Sequence, residues 1–131
     1  MYSFNVGKMS ITSYKDLEGW RKSVDLVSQT YFLTKKFPHE EIYGLTSQIR
    51  RACISVPANI AEGWGRRSTK MYIHALRISR GSLLELETEI LIAHNLNYLV
   101  DSDYIEIIEK ITEINKMLNS LISKLELKDS N

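Results

Sequence analysis

Cysteine is almost missing from this sequence of 131 residues: Cys53 is the only one. That excludes an internal disulfide and any zinc site built from several thiolates. No apolar run approaches the roughly 18 residues a membrane span needs. Residues 1–13 include Lys8 but no apolar stretch of the kind a secretory signal requires, so we expect a cytoplasmic chain with no membrane partner. Proline occurs twice and glycine six times, and both sit almost entirely at the edges of the periodic segments. Neither sign of charge dominates, the formal net charge being +1. What is present is ordinary globular usage, 44% hydrophobic and 25% charged, enough for one domain with a real core.

Four segments have helical periodicity. In the first, from about Tyr14 to Lys36, Leu17, Trp20, Val24, Val27, Tyr31 and Thr34 step by three and four, with Leu26 and Leu33 widening that face. Phe37-Pro38 stops it, because the residue before proline is pushed out of α geometry. The second begins near His39, with Glu40 and Glu41 opposing the positive end of the helix dipole. Its stripe is Ile42, Leu45, Ile49, Ala52, Val56 and Ile60, with Cys53 alongside. Pro57 predicts a kink, since Ile60 resumes the stripe, and Gly63-Trp64-Gly65 reads as a C-cap and loop.

The third helix starts after Ser68, a good N-cap, and runs to about Asn95. Tyr72, Leu76, Ser79, Leu83, Leu86, Ile90 and Ala93 form its seam, with Gly81 and Ser82 placed to allow close backbone approach. The fourth, capped by Asp101 or Ser102, carries Tyr104, Ile107, Ile111, Ile114, Leu118, Leu121 and Leu125, with Ile108 and Ile122 on a second edge. No segment alternates with period two. Short connections favour an all-α, antiparallel, up-down-up-down four-helix bundle over residues 14–127, with tails at 1–13 and 128–131.

The balanced net charge hides a split. Between Gln48 and Arg80 there are seven basic residues (Arg50, Arg51, Arg66, Arg67, Lys70, Arg77 and Arg80) against one acid, Glu62. From Gly81 to Asn131, ten acids face four lysines. The basic segment is mostly arginine, whose planar fork suits phosphate or carboxylate. It serves either a polyanion or the acidic half of the bundle itself.

Motifs for chemistry are wanting. A di-iron bundle needs Glu-x-x-His on two helices, but the residues three before His39, His74 and His94 are Lys36, Met71 and Leu91. Glu85, Glu87 and Glu89 alternate, which puts neighbours on different faces, and they read as salt-bridge partners. His74 and His94 lie about 30 Å apart along one helix at 1.5 Å per residue and cannot share a site. Cys53, beside the apolar stripe, reads as a small hydrophobe. Gly63-Trp64-Gly65 follows a helix and lacks the lysine of a phosphate loop. We expect no enzyme, no metal, no cofactor and no small-molecule substrate.

A second, polar stripe is more informative. Gln48, Ser55, Asn59 and Glu62 cluster about 100° from Ile49 around the second helix, flanked by Arg51. Arg77, Arg80, Leu84 and Glu87 form a similar stripe on the third. Small hydrogen-bonding residues over several turns suit contact with another helix or subunit, so Gln48, Ser55, Asn59, Glu62 and Glu87 are candidate oligomer contacts.

The stretch from Tyr14 through Leu99 resembles the four-helix-bundle proteins encoded in bacterial 23S rRNA intervening sequences. The likeness is carried by Tyr14-Lys15-Asp16-Leu17 with Trp20, by Phe37-Pro38 with Tyr43-Gly44-Leu45-Thr46-Ser47-Gln48, and most densely by Ile49-Arg50-Arg51-Ala52 through Ser55-Val56-Pro57-Ala58-Asn59-Ile60-Ala61-Glu62-Gly63. Gly65-Arg66 and Gly81-Ser82-Leu83-Leu84-Glu85-Leu86-Glu87 complete it. Cys53 and Ser79 depart mildly from the family pattern. The accessory variability protein of diversity-generating retroelements is a more distant likeness. The resemblance implies a ring-shaped homopentamer with no catalytic residue, and binding to RNA or other nucleic acid. Arg50, Arg51, Arg66, Arg67, Lys70, Arg77 and Arg80 are then the candidate nucleic-acid contacts. The alternative is a protein–protein scaffold whose arginines pair with Glu62, Glu85, Glu87 or Glu89.

Overall fold

A computed structural model of the chain describes residues 4–6, 9–11 and 13–130. Four helices make up most of it: α1 (Glu18–Thr34), α2 (Leu45–Gly65), α3 (Thr69–Asn95) and α4 (Asp101–Asp129). Two strands precede them. β1 (Phe4–Val6) pairs antiparallel with β2 (Met9–Ile11), in the register Phe4 to Ile11 and Val6 to Met9. Three-residue strands are too short to show alternation, which is why the sequence reads there as tail. The class remains all-α.

Cross-helix contacts run in opposite residue order at three junctions, which fixes the direction of all four helices. Ser55 meets Ser82 and Gly63 meets Ala75 between α2 and α3. Gly19 meets Met117 and Lys22 meets Glu113 between α1 and α4. Arg80 meets Asn119 and Arg77 meets Glu126 between α3 and α4. Neighbouring helices therefore run antiparallel around one core of Leu26, Ile49, Val56, Ile60, Tyr72, Leu76, Leu83, Leu86, Ile90, Ile107, Ile111, Ile114 and Leu118, all of them buried.

The α3 seam is as its periodicity predicts, every member from Tyr72 to Ala93 being buried. The α1 seam is not. Val24 is exposed, while Ser23, Leu26, Thr30 and Leu33 face the core. Hydroxyls can be buried there because each turns back on its own helix: Ser23 Oγ donates to the Trp20 carbonyl at 2.8 Å and Thr30 Oγ1 to the Leu26 carbonyl at 2.7 Å. Such back-bonding satisfies the side chain without an outside partner.

The start of α2 also differs from expectation. His39–Glu41 form a separate 3₁₀ turn, and Gly44, at φ −114° and ψ −115°, breaks the path before Leu45. Ile42 consequently lies outside the helix and is exposed. α2 then continues unbroken through Pro57, which is buried. Proline removes an amide donor from this turn, and side chains donate to carbonyls close by: Ser79 Oγ to Val56 O and Asn59 Nδ2 to Ser55 O, each at 2.8 Å.

Gly63 is not a cap but a contact point. A Cβ there would lie 2.6 Å from Ala75 Cβ and 3.0 Å from Tyr72 Cδ1. Gly81, expected to allow close approach, has open space around it. At α3 the cap is as expected, Ser68 Oγ accepting from Met71 N at 3.4 Å. At α4 the N-cap is Val100, and Asp101 instead holds His94. The helix persists to Asp129, past Lys128, where periodicity alone predicts a tail.

Candidate functional site

Successive positions on a helix point 100° apart, so adjacent arginines meet different surroundings. Arg50 leans onto α1: its Nε donates to Thr34 Oγ1 at 3.0 Å and its guanidinium stands 4.6 Å from the Tyr31 ring centre. Cation and aromatic face attract at that distance. Arg77 reaches Glu126 at 3.4 Å, and Arg80 Nη1 donates to Asn119 Oδ1 at 2.8 Å, both ties running to α4. These three arginines brace the bundle from outside. Arg66 pairs with Glu62 one turn earlier at 3.0 Å. Arg51, Arg67 and Lys70 are exposed, and their side chains make no hydrogen bond or ion pair among the described residues. The seven cations thus do not form one face.

Three of them are close in sequence at the corner where α2 turns into α3, and two of these, Arg66 and Lys70, line one cleft. Arg66 and Arg67 follow the end of α2, Ser68 caps α3, and Lys70 stands in its first turn. Arg67 adopts φ 55°, a left-handed conformation that costs an L side chain roughly 1–2 kcal/mol and normally selects glycine. Beside them opens a cleft lined by Asn59, Glu62, Arg66, Lys70, Met71, His74, Ala75 and Ile78. Glu62 is its single acid, and Arg66 already holds it. The corner offers hydrogen-bond donors and positive charge, which is the chemistry of anion binding.

The polar stripe on α2 is largely spent inside the chain. Ser55 and Ser82 hydroxyls share a 2.8 Å hydrogen bond, and Asn59 Nδ2 donates to Ser55 Oγ at 2.9 Å. Gln48 is exposed and Glu87 half-buried, with no ion pair or hydrogen bond at either side chain among the described residues.

The acidic run on α3 departs from its reading. Glu85, Glu87 and Glu89 make no ion pair among the described residues. Glu89 is only 6% exposed, and its Oε1 has no hydrogen-bond partner. Burial, reinforced by the charge of Glu85 and a hydrogen bond with it, pushes the Glu89 carboxyl up to about 7. The sequence carries a faint signal of this: four-residue spacing places Glu89 in line with Glu85 and close to the buried edge marked by Ser82.

Cys53 is fully buried, and burial pushes its thiol up to about 11. It is protonated at neutral pH, which removes the thiolate a nucleophile needs. His94 Nε2 lies 2.7 Å from Asp101 Oδ1, its ring stacked 4.2 Å from Tyr104, so it clasps the α3–α4 connection. Among the described residues no three His, Cys, Asp or Glu side chains converge as a metal site, and no helix is long and apolar enough to cross a membrane.

The sequence model for the 23S rRNA-intervening sequence protein matches residues 15–120 of the chain. Among solved structures, the chain is similar to a crystal structure of a protein of unknown function from the S23 ribosomal protein family of Bacteroides thetaiotaomicron. The TM-score is 0.75 and the identity 28%, covering 80% of this chain and 95% of that one. No curated protein matches the chain.

Proposed function

The chain belongs to the 23S rRNA-intervening sequence protein family, and we propose that it is a non-enzymatic, oligomeric four-helix bundle that binds RNA or other nucleic acid through its α2–α3 corner. The assembly is a ring of identical copies, five by the sequence resemblance. The observation that carries the reading is Arg67. An arginine at φ 55° stands where glycine would be more comfortable, close to Lys70 in sequence, and neither side chain has a partner within the chain among the described residues. Strain at such a position points to a side chain retained for what it contacts. Arg66 adds a third cation. A ring repeats this corner once per copy, so a chain of net charge +1 can still present a strong local field to phosphate.

The test separates binding from stability. Replacing Arg67→Gly relieves backbone strain and raises protomer stability by roughly 1 kcal/mol. In gel-shift titrations against structured RNA at two salt concentrations, the same variant binds more weakly and with a shallower salt dependence than the parent. Parent protein that fails to bind even at low salt sinks the reading.

A scaffold for protein partners is the second reading. It is favoured by the use of Arg50, Arg77 and Arg80 within the bundle, although their partners are Thr34, Glu126 and Asn119 instead of the α3 carboxylates.

A further inference from the structure

Two patches, one around the start of α2 beside α1 and one on α3, hold charges with no ion-pair partner among the described residues and are opposite in sign. The first surrounds Arg51. Tyr43 beside it is 96% exposed, and Ile42 and Ile54 are 43% and 44% exposed. The shallow groove they share is lined also by Tyr31, Thr46, Ser47 and Arg50, and contains no carboxylate. The second patch lies on α3. At 100° per residue Ile78, Glu85, Glu89 and Ile92 fall within a sector of about 60°, on the flank beside Ser82, whose hydroxyl meets Ser55 of α2. Ile78 and Ile92 are both 44% exposed, and no cation pairs with either glutamate among the described residues.

Glu89 is what distinguishes this flank from an ordinary solvated acidic face. A carboxyl nine-tenths buried with one enclosed oxygen unsatisfied is costly, its near neighbour on the helix supplies only a second carboxyl, and that neighbour, Glu85, is the exposed member a partner can reach. Two carboxylates one turn apart suit a guanidinium, which donates through a planar fork to more than one oxygen. The same chain carries an unpaired guanidinium at Arg51, rimmed by apolar side chains as the glutamates are. Two different, complementary patches on one molecule make a head-to-tail contact, which closes into rings or continues as filaments.

We propose that Arg51 of one copy docks between Glu85 and Glu89 of the next, with Ile42, Tyr43 and Ile54 of the first covering Ile78 and Ile92 of the second. The inference rests on the oligomeric reading above and names the surfaces that make the oligomer. It assigns Arg51 to assembly and leaves the α2–α3 corner to the polyanion.

Charge exchange tests it. Arg51 and Glu85 are exposed, so Arg51→Glu and Glu85→Arg leave the fold intact, as circular dichroism will verify. Solution mass is measured by sedimentation for the parent, for each variant and for a one-to-one mixture. The parent assembles. Each variant alone faces like with like and dissociates at concentrations about tenfold or more above those at which the parent does. In the mixture the two variants alternate, which matches every contact of a filament or an even ring and four of the five contacts of a five-membered ring. The carboxylate introduced at position 51 of one then faces the guanidinium introduced at position 85 of the other, the next contact restores Arg51 to Glu85, and assembly returns. Glu89→Gln, which keeps the shape and removes the charge, also weakens assembly about tenfold or more. A monomeric parent overturns both this inference and the oligomeric reading. Variants that assemble like the parent overturn this inference alone. So does a mixture of folded variants that stays dissociated, since that result would place any Arg51–Glu85 attraction within one chain. An Arg51→Glu chain that loses RNA binding but not assembly would assign Arg51 to the nucleic acid and overturn the proposal likewise.

Discussion

The α2–α3 junction and the α1–α4 junction are built on different principles. Between α2 and α3 the backbones are brought together: Gly63 sits where any Cβ would strike Ala75, and Ser79, fully buried, donates to a carbonyl of the opposite helix at 2.8 Å. Between α1 and α4 the corresponding glycine, Gly19, has Met117 Cβ at an ordinary 3.9 Å, and the polar tie is the surface pair Lys22–Glu113. One junction is locked by shape and buried hydrogen bonds, the other closed by apolar contact and trimmed with charge. Arg51, Arg67, Lys70, Glu85 and Glu89, none of them in an ion pair among the described residues, all belong to the locked pair or its connection. A surface that must present charges at fixed positions gains from such a stiff support.

Placing a methyl group on each of two glycines breaks the comparison most sharply. Gly63→Ala drives a Cβ to 2.6 Å from Ala75 Cβ, a rigid neighbour. Overpacking of that kind exceeds the ~1 kcal/mol gained from helix propensity. Chemical denaturation should show a net loss of about 2 kcal/mol. Gly81→Ala, with nothing within 4 Å, should instead gain roughly 0.5–1 kcal/mol. Equal losses at the two sites would mean that α2 and α3 are held together by something other than the close approach at Gly63.

Glu89 gives the next effect, and its sign depends on pH. Its carboxyl lies at about 7 in the folded protomer against an ordinary 4.5. The folded state therefore keeps a proton that the unfolded chain releases. That contribution is fully present below pH 4.5 and is lost as pH rises through about 7. In solutions dilute enough to keep protomers apart, Glu89→Gln should raise stability at about pH 8 by about 1–2 kcal/mol and be nearly neutral at about pH 4. Thermal melts at both pH values check this. A variant no more stable than the parent on the alkaline side would show that the carboxylate is compensated within its own chain.

The α1–α4 pair provides the smallest effect. Lys22 is linked to Glu113 and more distantly to Glu18 at 3.9 Å, all partly in water. Lys22→Ala should cost less than about 0.5 kcal/mol, and less still in high salt. A larger loss would give this junction a polar lock of its own.

How much of this is legible in the sequence varies element by element. The α3 seam can be read directly, because its members from Tyr72 to Ala93 are apolar except Ser79 and each lies three or four residues from the next. The α1 seam reads only in part, because Ser23 and Thr30 look like surface residues until their hydroxyls are seen bonded to their own helix. The start of α2 reads several residues early, since Glu40 and Glu41 make a plausible first turn and only the geometry of Gly44 shows that helix begins after it. The arginines are recognisable as a group but not by fate. Arg77–Glu126 and Arg80–Asn119 depend on how far α4 slides along α3, which periodicity does not encode. Nor does a row of alternating glutamates announce that one of them lies beneath the surface.

The single sulfhydryl of this protein has a use beyond packing. Cys53 is wholly enclosed, its Sγ within 3.2 Å of the Arg50 carbonyl, and its proton is held up to about 11. An alkylating reagent can reach it only while the bundle breathes open, and with one thiol per chain every modified molecule records one such event. The native sequence thus carries its own clock for opening, readable by mass spectrometry with no label introduced. Because Cys53 is on α2, beneath the surface that holds Arg51, a slower clock on assembly would time the interface from the inside.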